Sequence, residues 1–232
     1  MKLLLFDVDQ TLISTGGAGI RALNRAFQEL FSVQNAMEGI LPHGKTDPGI
    51  IREIFVARAM DSAGDGYPTS LEPILNSYLT YLREEVESST SYKVLPGIMN
   101  FLNSMAGRSD VMIGLATGNV EAGARIKLER GDLNRHFAFG GFGSDSENRT
   151  QLVKRGAEVA AAISGRPFKP FDTFVIGDTP RDIEAGREAG FQTIGVATGK
   201  YSVPDLMNSG ATVAIKNFEL DRAQFLRTTR IE

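Results

Sequence analysis

Two aspartates separated by one residue, Asp7 and Asp9, directly follow an apolar run at residues 3–6, and Thr11 comes two residues later. An apolar run bounded by polar residues is typical of a β-strand that is buried on both faces. In a parallel sheet, ligands bind at the carboxyl ends of the strands, which is where these two carboxylates would lie. Because side chains two residues apart project to the same side and like charges repel, we expect a cation beside them.

Two further apolar runs, 111–116 and 173–176, also end in polar residues. The first run is followed by Thr117, Gly118 and Asn119, and the second by Gly177, Asp178 and, a turn later, Asp182. Hydroxyl, amide and carboxylate groups that converge on one edge of a sheet are typical of a ligand site. The sequence therefore predicts a single site built from the ends of three strands.

Carboxylates and a hydroxyl group at such an edge suit the transfer of a phosphoryl group. Mg²⁺ prefers hard oxygen ligands and usually binds through one or two carboxylates, water and phosphate. Asp7, Asp178 and the backbone carbonyl of Asp9 are candidates for such ligands. A carboxylate can also attack phosphorus to form an aspartyl-phosphate, and a second carboxyl group beside it can serve the proton transfers of both steps. The Asp-x-Asp spacing supplies this pair.

The elements that must position these residues alternate between strand and helix. Strands are predicted at residues 3–6, 111–116, 137–142, 173–176, 192–196 and 213–215, with helical patterns between most of them. This alternation favours a parallel sheet with right-handed crossovers. The fold class we expect is α/β, with a doubly wound, Rossmann-like parallel sheet.

Residues 15–90 differ from the rest because they contain helical patterns and no convincing strand. Apolar stripes at helical spacing run from Ile20 to Leu30, from Ile50 to Ala57 and from Leu71 to Val86, and the turn-rich residues 61–69 predict a loop. We therefore predict a helical domain at residues 15–90, inserted after the first strand into a core domain formed by residues 1–14 and 91–232.

Composition excludes several classes of function. The chain has 232 residues, a formal net charge of -3 and no cysteine, so thiolate metal sites, disulfides and cysteine nucleophiles are excluded. It has no long basic run to bind nucleic acid, and no apolar run approaches the roughly 20 residues needed to span a bilayer. We expect a soluble, cytoplasmic protein without a nucleic-acid or membrane partner, and the oligomeric state stays open.

The strand-end residues also carry a resemblance to a known family. The segment Asp7 to Thr11, Thr117, a downstream basic residue and the segment Gly177 to Asp182 resemble the four motifs of the haloacid dehalogenase-like hydrolase superfamily. The helical insert after the first motif resembles the C1-type cap of the branch that contains phosphoglycolate phosphatases and β-phosphoglucomutases. The match spans the whole of the predicted core domain.

This resemblance implies a role for each matching residue. Asp7 would be the nucleophile and Asp9 the general acid and base, while Thr117, with Gly118 and Asn119, would bind the phosphate. Asp7, Asp9, Asp178 and Asp182 would hold or support Mg²⁺, and Thr11 would contribute to substrate binding.

Two positions depart from the family pattern. Gln10 stands where the family usually has glycine, which permits unusual backbone angles, so a slightly different turn is expected. The third motif usually has a lysine before a proline, and the sequence has no such pair at that place. Arg149, at the start of the helix after the predicted strand 137–142, is our candidate for the catalytic cation, because arginine can hold phosphate with two hydrogen bonds. Lys127 and Lys154 are the rivals.

Residues 43–47, His-Gly-Lys-Thr-Asp, resemble the cap loop that reaches into the active site of this family. Lys45 is therefore a candidate for substrate binding, and the alternative is a plain loop between two helices.

The function that these observations favour is a Mg²⁺-dependent phosphatase acting on a small phosphorylated metabolite, phosphoglycolate-like or a sugar phosphate, through an aspartyl-phosphate. A sugar-phosphate mutase and a phosphonoacetaldehyde hydrolase of the same superfamily are alternatives, the second because Lys45 could form the Schiff base that it requires. A phospho-acceptor signalling domain is disfavoured, because such domains are about half this length and lack a helical insert.

Overall fold

A computed structural model describes residues 1–60 and 70–231, so the loop predicted at residues 61–69 lies outside the described residues. The strands are β1 Lys2–Phe6, β2 Ile13–Ser14, β3 Lys93–Val94, β4 Val111–Thr117, β5 Gly140–Phe142, β6 Thr173–Gly177, β7 Gln192–Val196 and β8 Val213–Ile215. The helices are α1 Ala18–Phe31, α2 Asp47–Ala57, α3 Glu72–Ser88, α4 Ile98–Met105, α5 Glu121–Glu129, α6 Arg149–Ser164, α7 Pro180–Glu188, α8 Val203–Asn208 and α9 Arg222–Thr229. Short 3₁₀ turns lie at Asn134–His136 and Pro170–Asp172.

Six strands form one sheet in the order β5-β4-β1-β6-β7-β8, and every neighbouring pair is parallel. The predicted α/β fold class, a doubly wound Rossmann-like sheet with a helical insert after the first strand, is confirmed. In the register of the sheet, Phe6 pairs with Leu115 of β4 and with Ile176 of β6. Because these three strands end at the same level, the residues after them meet at one edge.

The side chains of β1 explain why helices cover both faces of the sheet. Leu3, Leu4, Leu5 and Phe6 are all fully buried, and they alternate between two hydrophobic clusters. Leu4 and Phe6 pack with side chains of α4, α5 and α9, while Leu3 and Leu5 pack with those of α6 and α7. A strand that is apolar on both faces must lie in the middle of such a sandwich.

Helices α1, α2 and α3 bury their apolar sides in a separate cluster, which Ile126 of α5 joins. The buried face of α1 differs from the predicted stripe, because Leu23 and Phe27 are buried whereas Ile20 and Leu30 are about 40% exposed. We call α1, α2 and α3 with their connections the helical insert. Its boundaries at residues 15 and 90 stay a prediction.

Strands β2 and β3 pair antiparallel, with Ile13 opposite Val94, where the chain leaves the sheet and returns to it. This short ladder was not predicted, because two-residue strands carry no periodic pattern. It places the two connections of the helical insert side by side above the edge of the sheet. Among the described residues, no helix is both long and apolar enough to cross a membrane.

Candidate active site

A cavity of about 160 Å³ lies between the carboxyl edge of the sheet and the helical insert. Predicted site residues that line it are Asp7, Asp9, Lys45, Thr117, Gly118, Asn119, Arg149 and Asp178. The fold therefore brings together residues that are far apart in the sequence, up to 171 positions in the case of Asp7 and Asp178. Their individual roles stay predictions.

The turn after β1 points the first two aspartates toward the cavity. The backbone N–H of Asp7 still donates to the carbonyl of Ile176 at 2.9 Å, as a continuation of the sheet. The chain then curls around the carbonyl of Val8, which accepts from the N–H groups of the next residues, Thr11, Leu12 and Ile13. This curl places Asp9 above the end of the strand.

Gln10 adopts a left-handed backbone conformation with φ of 60°. Such a conformation is favoured by glycine, which the family usually has at this position. Gln10 therefore makes the turn itself, and hydrogen bonds fix it: its N–H donates to the carbonyl of Ile13 at 2.7 Å, and its carbonyl accepts from Thr198 Oγ1 at 2.5 Å. We expected a slightly different turn from the replacement of glycine, but the backbone keeps the left-handed conformation that glycine favours.

Three buried carboxylates lie together on one side of the cavity. Oxygens of Asp7, Asp178 and Asp182 are all within 4.8 Å of one another. Burial raises the pKa of Asp7 to about 7, with a further increase from Asp182 and an opposing effect of Arg149. Burial, followed by the charges of Asp182 and Asp7, raises the pKa of Asp178 to about 9. The cluster is therefore short of positive charge, which is the condition that a bound cation relieves.

Asp182 already has partners for both of its oxygens. Oδ2 accepts from the N–H of Thr179 at 3.0 Å and from its hydroxyl at 2.7 Å, which completes a capping box at the start of α7. Oδ1 accepts from the guanidinium of Arg149. Asp182 does not line the cavity, so its geometry fits a supporting role better than direct contact with a ligand.

Arg149 reaches this cluster from the first residue of α6. Asn148 caps that helix, since its side chain accepts from the N–H of Gln151 at 3.1 Å. The guanidinium donates to Asp182, and its Nη2 lies 3.6 Å from Oδ1 of Asp7. Burial alone would lower the pKa of Arg149, but these two carboxylates outweigh it, and the side chain stays cationic.

Lys127 of α5 supplies a second buried cation on the other side of the cavity. Its Nζ donates to Asp9 Oδ2 at 2.6 Å and to Asn119 Oδ1 at 2.6 Å. The amide nitrogen of Asn119 donates to the same oxygen of Asp9 at 2.9 Å and to Thr117 Oγ1 at 2.8 Å. Burial would lower the pKa of Lys127, but the charges of Asp9 and Asp47 more than offset it and raise it.

The rival candidates for the catalytic cation are thus separated by position. Arg149 contacts the predicted nucleophile, Lys127 contacts the predicted acid and base, and Lys154 is exposed on α6 and does not line the cavity. The structure therefore favours Arg149 for the phosphate-facing role and does not support Lys154.

Thr11 is placed differently from the prediction. Its side chain is fully buried, does not line the cavity, and its hydroxyl makes no hydrogen bond with the described residues. The predicted contact between Thr11 and the substrate is therefore not supported, because the curl after Asp9 turns this side chain away from the cavity.

The helical insert contributes Lys45, Asp47 and Tyr78 to the cavity wall. The ammonium group of Lys45 makes an ion pair with Glu53 of α2. The N–H of Asp47 donates to the carbonyl of Gly118 at 2.8 Å, and its Oδ2 accepts from the N–H of Val120 at 2.9 Å. Gly118 allows this close approach, because a Cβ atom there would collide with the carbonyl of Lys45.

Sequence reasoning missed Tyr78 as part of the site, and it placed Asp47 in the expected cap loop without giving it a role in binding. Both are almost fully buried, Asp47 at the first position of α2 and Tyr78 in the middle of α3. An aspartate before a proline predicts a helix start, and a tyrosine among apolar residues predicts a core position. Neither pattern indicates that the polar atom faces a cavity.

The sequence model of the haloacid dehalogenase-like hydrolase family matches residues 4–196. A phosphoglycolate phosphatase of Agrobacterium fabrum is 25% identical over 215 residues, which cover 87% of this chain and 83% of that protein. Among solved structures, a hydrolase from Pseudomonas syringae is 18% identical with a TM-score of 0.69, covering 98% of both chains. A haloacid dehalogenase-like hydrolase from Streptococcus pneumoniae is 18% identical with a TM-score of 0.63, covering 97% of this chain and 98% of its own.

The family match extends from β1 to β7 and includes the three strands whose ends form the cavity edge. Together with the strand order and the four motifs, it establishes that this chain belongs to the haloacid dehalogenase-like hydrolases.

Proposed function

We propose that the protein is a Mg²⁺-dependent phosphatase that hydrolyses a small phosphate monoester through a phosphorylated Asp7. The observation that carries the proposal is the position of Asp7. Its carboxylate lies at the cavity edge, 3.6 Å from the guanidinium of Arg149 and within 4.8 Å of two further carboxylates. The phosphatase activity named for the Agrobacterium relative supports the same reaction.

The residues present fit a divalent cation. Asp7, Asp178 and Asp182 offer oxygen atoms, and burial, followed by the charges of Asp182 and Asp7, raises the pKa of Asp178, an effect that a bound cation would oppose. Asp7 and Asp178 line the cavity and would hold Mg²⁺, with Asp182 behind them and Asp9 as a further candidate. When bound, the ion would neutralise charge on the phosphate oxygens and orient them.

In the first step, an oxygen of Asp7 attacks the phosphorus atom, and the bond between phosphorus and the ester oxygen breaks. The leaving oxygen takes the proton of the Asp9 carboxyl group, so that an alcohol departs. Thr117, the backbone of Gly118 and Arg149 would hold the phosphoryl oxygens, since all three line the cavity next to Asp7. Arginine suits this task because its donors are planar and permanently charged.

In the second step, the Asp9 carboxylate takes a proton from water, and the water oxygen attacks phosphorus. The bond between phosphorus and Asp7 breaks, which releases phosphate and restores both carboxyl groups. The geometry of Asp9 supports this role, because Lys127 and Asn119 hold only its Oδ2, while its side chain is 40% exposed. The other oxygen is thus available to the leaving group and to water.

Lys45 offers little support for the phosphonoacetaldehyde alternative. Schiff-base formation requires a free neutral amine, whereas the ammonium group of Lys45 is paired with Glu53. The pair would have to break before that chemistry could begin.

The proposal is tested by measuring phosphate release from a panel of phosphate monoesters, with Mg²⁺ and with a chelator. We expect turnover that requires the metal and a phosphoryl group on Asp7, detected by mass spectrometry after acid quench. The Asp7→Asn variant is the matched control, because it changes one atom and cannot form an acyl phosphate. Label on any residue other than Asp7, or full activity in the chelator, would contradict the proposal.

A further inference from the structure

The part of the cavity formed by the helical insert combines polar side chains, among them Lys45, Asp47 and Tyr78, with an apolar wall. Four side chains of this wall are Ile20, Leu23, Met37 and Ile50. Since the phosphoryl group must lie next to Asp7, the insert faces the remainder of the substrate. An apolar wall gives no favourable contact to a charged group and makes desolvation of one costly.

Each described lysine and arginine that lines the cavity already has an acidic partner. Lys45 pairs with Glu53, Lys127 with Asp9 and Arg149 with Asp182. The phosphoryl group of a substrate would draw on Arg149 and on the metal. The part of the cavity that faces the leaving group therefore has no uncompensated lysine or arginine for a second anionic group.

Asp47 adds a second carboxylate to the charges around Lys127, whose single positive charge it shares with Asp9. Its side chain is only 5% exposed, and among the described residues only the N–H of Val120 donates to it, at Oδ2. Burial raises the pKa of Asp47 to about 6, so the carboxyl group is mostly ionised in mildly alkaline solution. A carboxylate on the substrate would be repelled by it, whereas a hydroxyl group could donate to its second oxygen.

Tyr78 of α3 is a further polar side chain that the helical insert contributes to this cavity. It is almost fully buried, lines the same cavity, and its phenol makes no hydrogen bond with the described residues. A phenol can donate to or accept from a neutral hydroxyl group. Asp47 and Tyr78 thus offer hydrogen-bond partners that match an alcohol.

We propose that this site selects phosphate monoesters whose leaving group is an uncharged alcohol, without a carboxylate or a second phosphate. Asp47 and Glu53 determine this selectivity, Asp47 by repulsion and Glu53 by neutralising Lys45. The inference rests on the phosphatase activity proposed above and specifies its substrate class.

Matched substrate pairs test the inference at about pH 8.5. One pair is phosphoglycolamide and phosphoglycolate; the other is glycerol 3-phosphate and 3-phosphoglycerate. Within each pair the leaving group differs mainly in the presence of a carboxylate. We expect kcat/KM to favour the neutral member about tenfold or more, because charges in a cavity are poorly screened.

Two variants should weaken this preference by different routes. Glu53→Gln releases the charge of Lys45, and Asp47→Asn removes the repulsion while its amide oxygen can still accept from Val120. Each should shift the anionic-to-neutral ratio about fivefold or more toward the anionic substrate. Glu84→Gln is the control, because Glu84 pairs with Arg25 on the helical insert and does not line the cavity; its ratio should match the wild type.

The outcomes separate the two proposals. Hydrolysis of both members of a pair with no preference, or with a preference for the carboxylate, overturns the inference and leaves the phosphatase intact. An unchanged ratio in Glu53→Gln overturns the role of Glu53 even if Asp47→Asn unfolds. Absence of hydrolysis of every ester, including p-nitrophenyl phosphate, overturns the proposed function and the inference with it.

Discussion

The charged residues at the carboxyl edge of the sheet form two groups, one around Arg149 and one around Lys127, which we call the Arg149 side and the Lys127 side. Their balance of charges differs. On the Arg149 side, three carboxylates, Asp7, Asp178 and Asp182, lie together, and one guanidinium contacts two of them, Asp7 and Asp182. On the Lys127 side, the ammonium group pairs with the carboxylate of Asp9, donates to Asn119 and also interacts with the charge of Asp47. With every carboxylate ionised, the first side is short of two positive charges and the second of one.

This difference indicates which side a bound cation would stabilise more. Buried charges are stable only when paired and hydrogen-bonded, as they are around Lys127. The Mg²⁺ ion that we propose would offset the larger deficit, that of the Arg149 side. In the proposed mechanism, nucleophile and metal would therefore belong to the Arg149 side, and proton transfer to the Lys127 side.

The change with the largest expected effect is Asp7→Asn on the Arg149 side. The amide cannot attack phosphorus, so we expect kcat/KM to fall by about 10⁴-fold or more. The metal-free thermal midpoint should be unchanged or higher, because one charge leaves a repulsive cluster. Activity and thermal unfolding are measured on the same preparation; activity above a few per cent would exclude Asp7 as the nucleophile.

Asp9→Asn on the Lys127 side should depend on the leaving group. With an alkyl phosphate we expect a loss of about 10²–10³-fold, because the alkoxide needs a proton, and a much smaller loss in phosphoenzyme formation from acetyl phosphate. Rapid quench with labelled acetyl phosphate should then show phosphorylated Asp7 accumulating. Equal losses with both donors would mean that Asp9 shapes the site and transfers no proton.

Lys127→Met should reduce turnover of alkyl phosphates by about tenfold, since Asp9 loses the partner that orients it. Hydrolysis of p-nitrophenyl phosphate, whose leaving group needs little protonation, should fall less. Lys154→Met is the matched control, because Lys154 is exposed on α6 and away from the cavity. The same loss with both esters would place Lys127 in phosphate binding or folding instead.

The charge deficit of the Arg149 side also predicts a pH dependence of stability. Folding raises the pKa of Asp7 to about 7 and of Asp178 to about 9 from an ordinary 3.8, so the folded state holds more protons than the unfolded chain between these values. Metal-free protein should therefore lose stability as the pH rises from about 4 to about 9.

Mg²⁺ should counter this loss, and its effect on the thermal midpoint should grow with pH because it binds the ionised carboxylates. Thermal unfolding at several pH values, with Mg²⁺ and with a chelator, measures both effects. Asp178→Asn should flatten both curves. A Mg²⁺ effect that is equal at all pH values would exclude this cluster as the binding site.

The smallest effect, on the free energy of unfolding, is expected for substitution of Gln10 in the turn after β1. The left-handed conformation at position 10 costs an ordinary residue roughly 1 kcal/mol, and Gln10→Gly removes this cost. Glycine, however, gains a similar amount of conformational freedom in the unfolded chain. We expect the free energy of unfolding to change by less than about 1 kcal/mol, measured by urea titration. Gln10→Val should lower it clearly more, because a branched side chain fits this backbone poorly.

The edge of the sheet could be predicted from sequence because its signals are local. Buried parallel strands are continuous apolar runs, and the polar residues after β1, β4 and β6 mark their ends. The pairing of Arg149 with Asp182 could not be predicted, since it depends on how α6 lies against β5. That helix comes close enough because Gly141 has no side chain to collide with the carbonyl of Leu152.

Other misses have a physical reason as well. The ion pair of Lys45 with Glu53 joins a loop to the second turn of α2. The distance between a loop residue and a helix residue cannot be inferred from their spacing in the sequence. Helix α8 was not predicted although Ser202 and Asp205 form a capping box with Pro204 between them, a local signal that would have identified it. Helix α9 was also not predicted; its buried Phe225 lies in the core among the aromatic rings of Phe101 and Phe218.

The contact between Asp47 and the loop after β4 has a consequence for hydrogen exchange. The amide of Asp47 donates to Gly118, and the amide of Val120 donates to Asp47, so each hydrogen is shielded by the other segment. Both hydrogens can exchange with deuterium only when the helical insert and the loop separate. Their two exchange rates should therefore report one opening event, and a ligand held by the loop must slow both by the same factor.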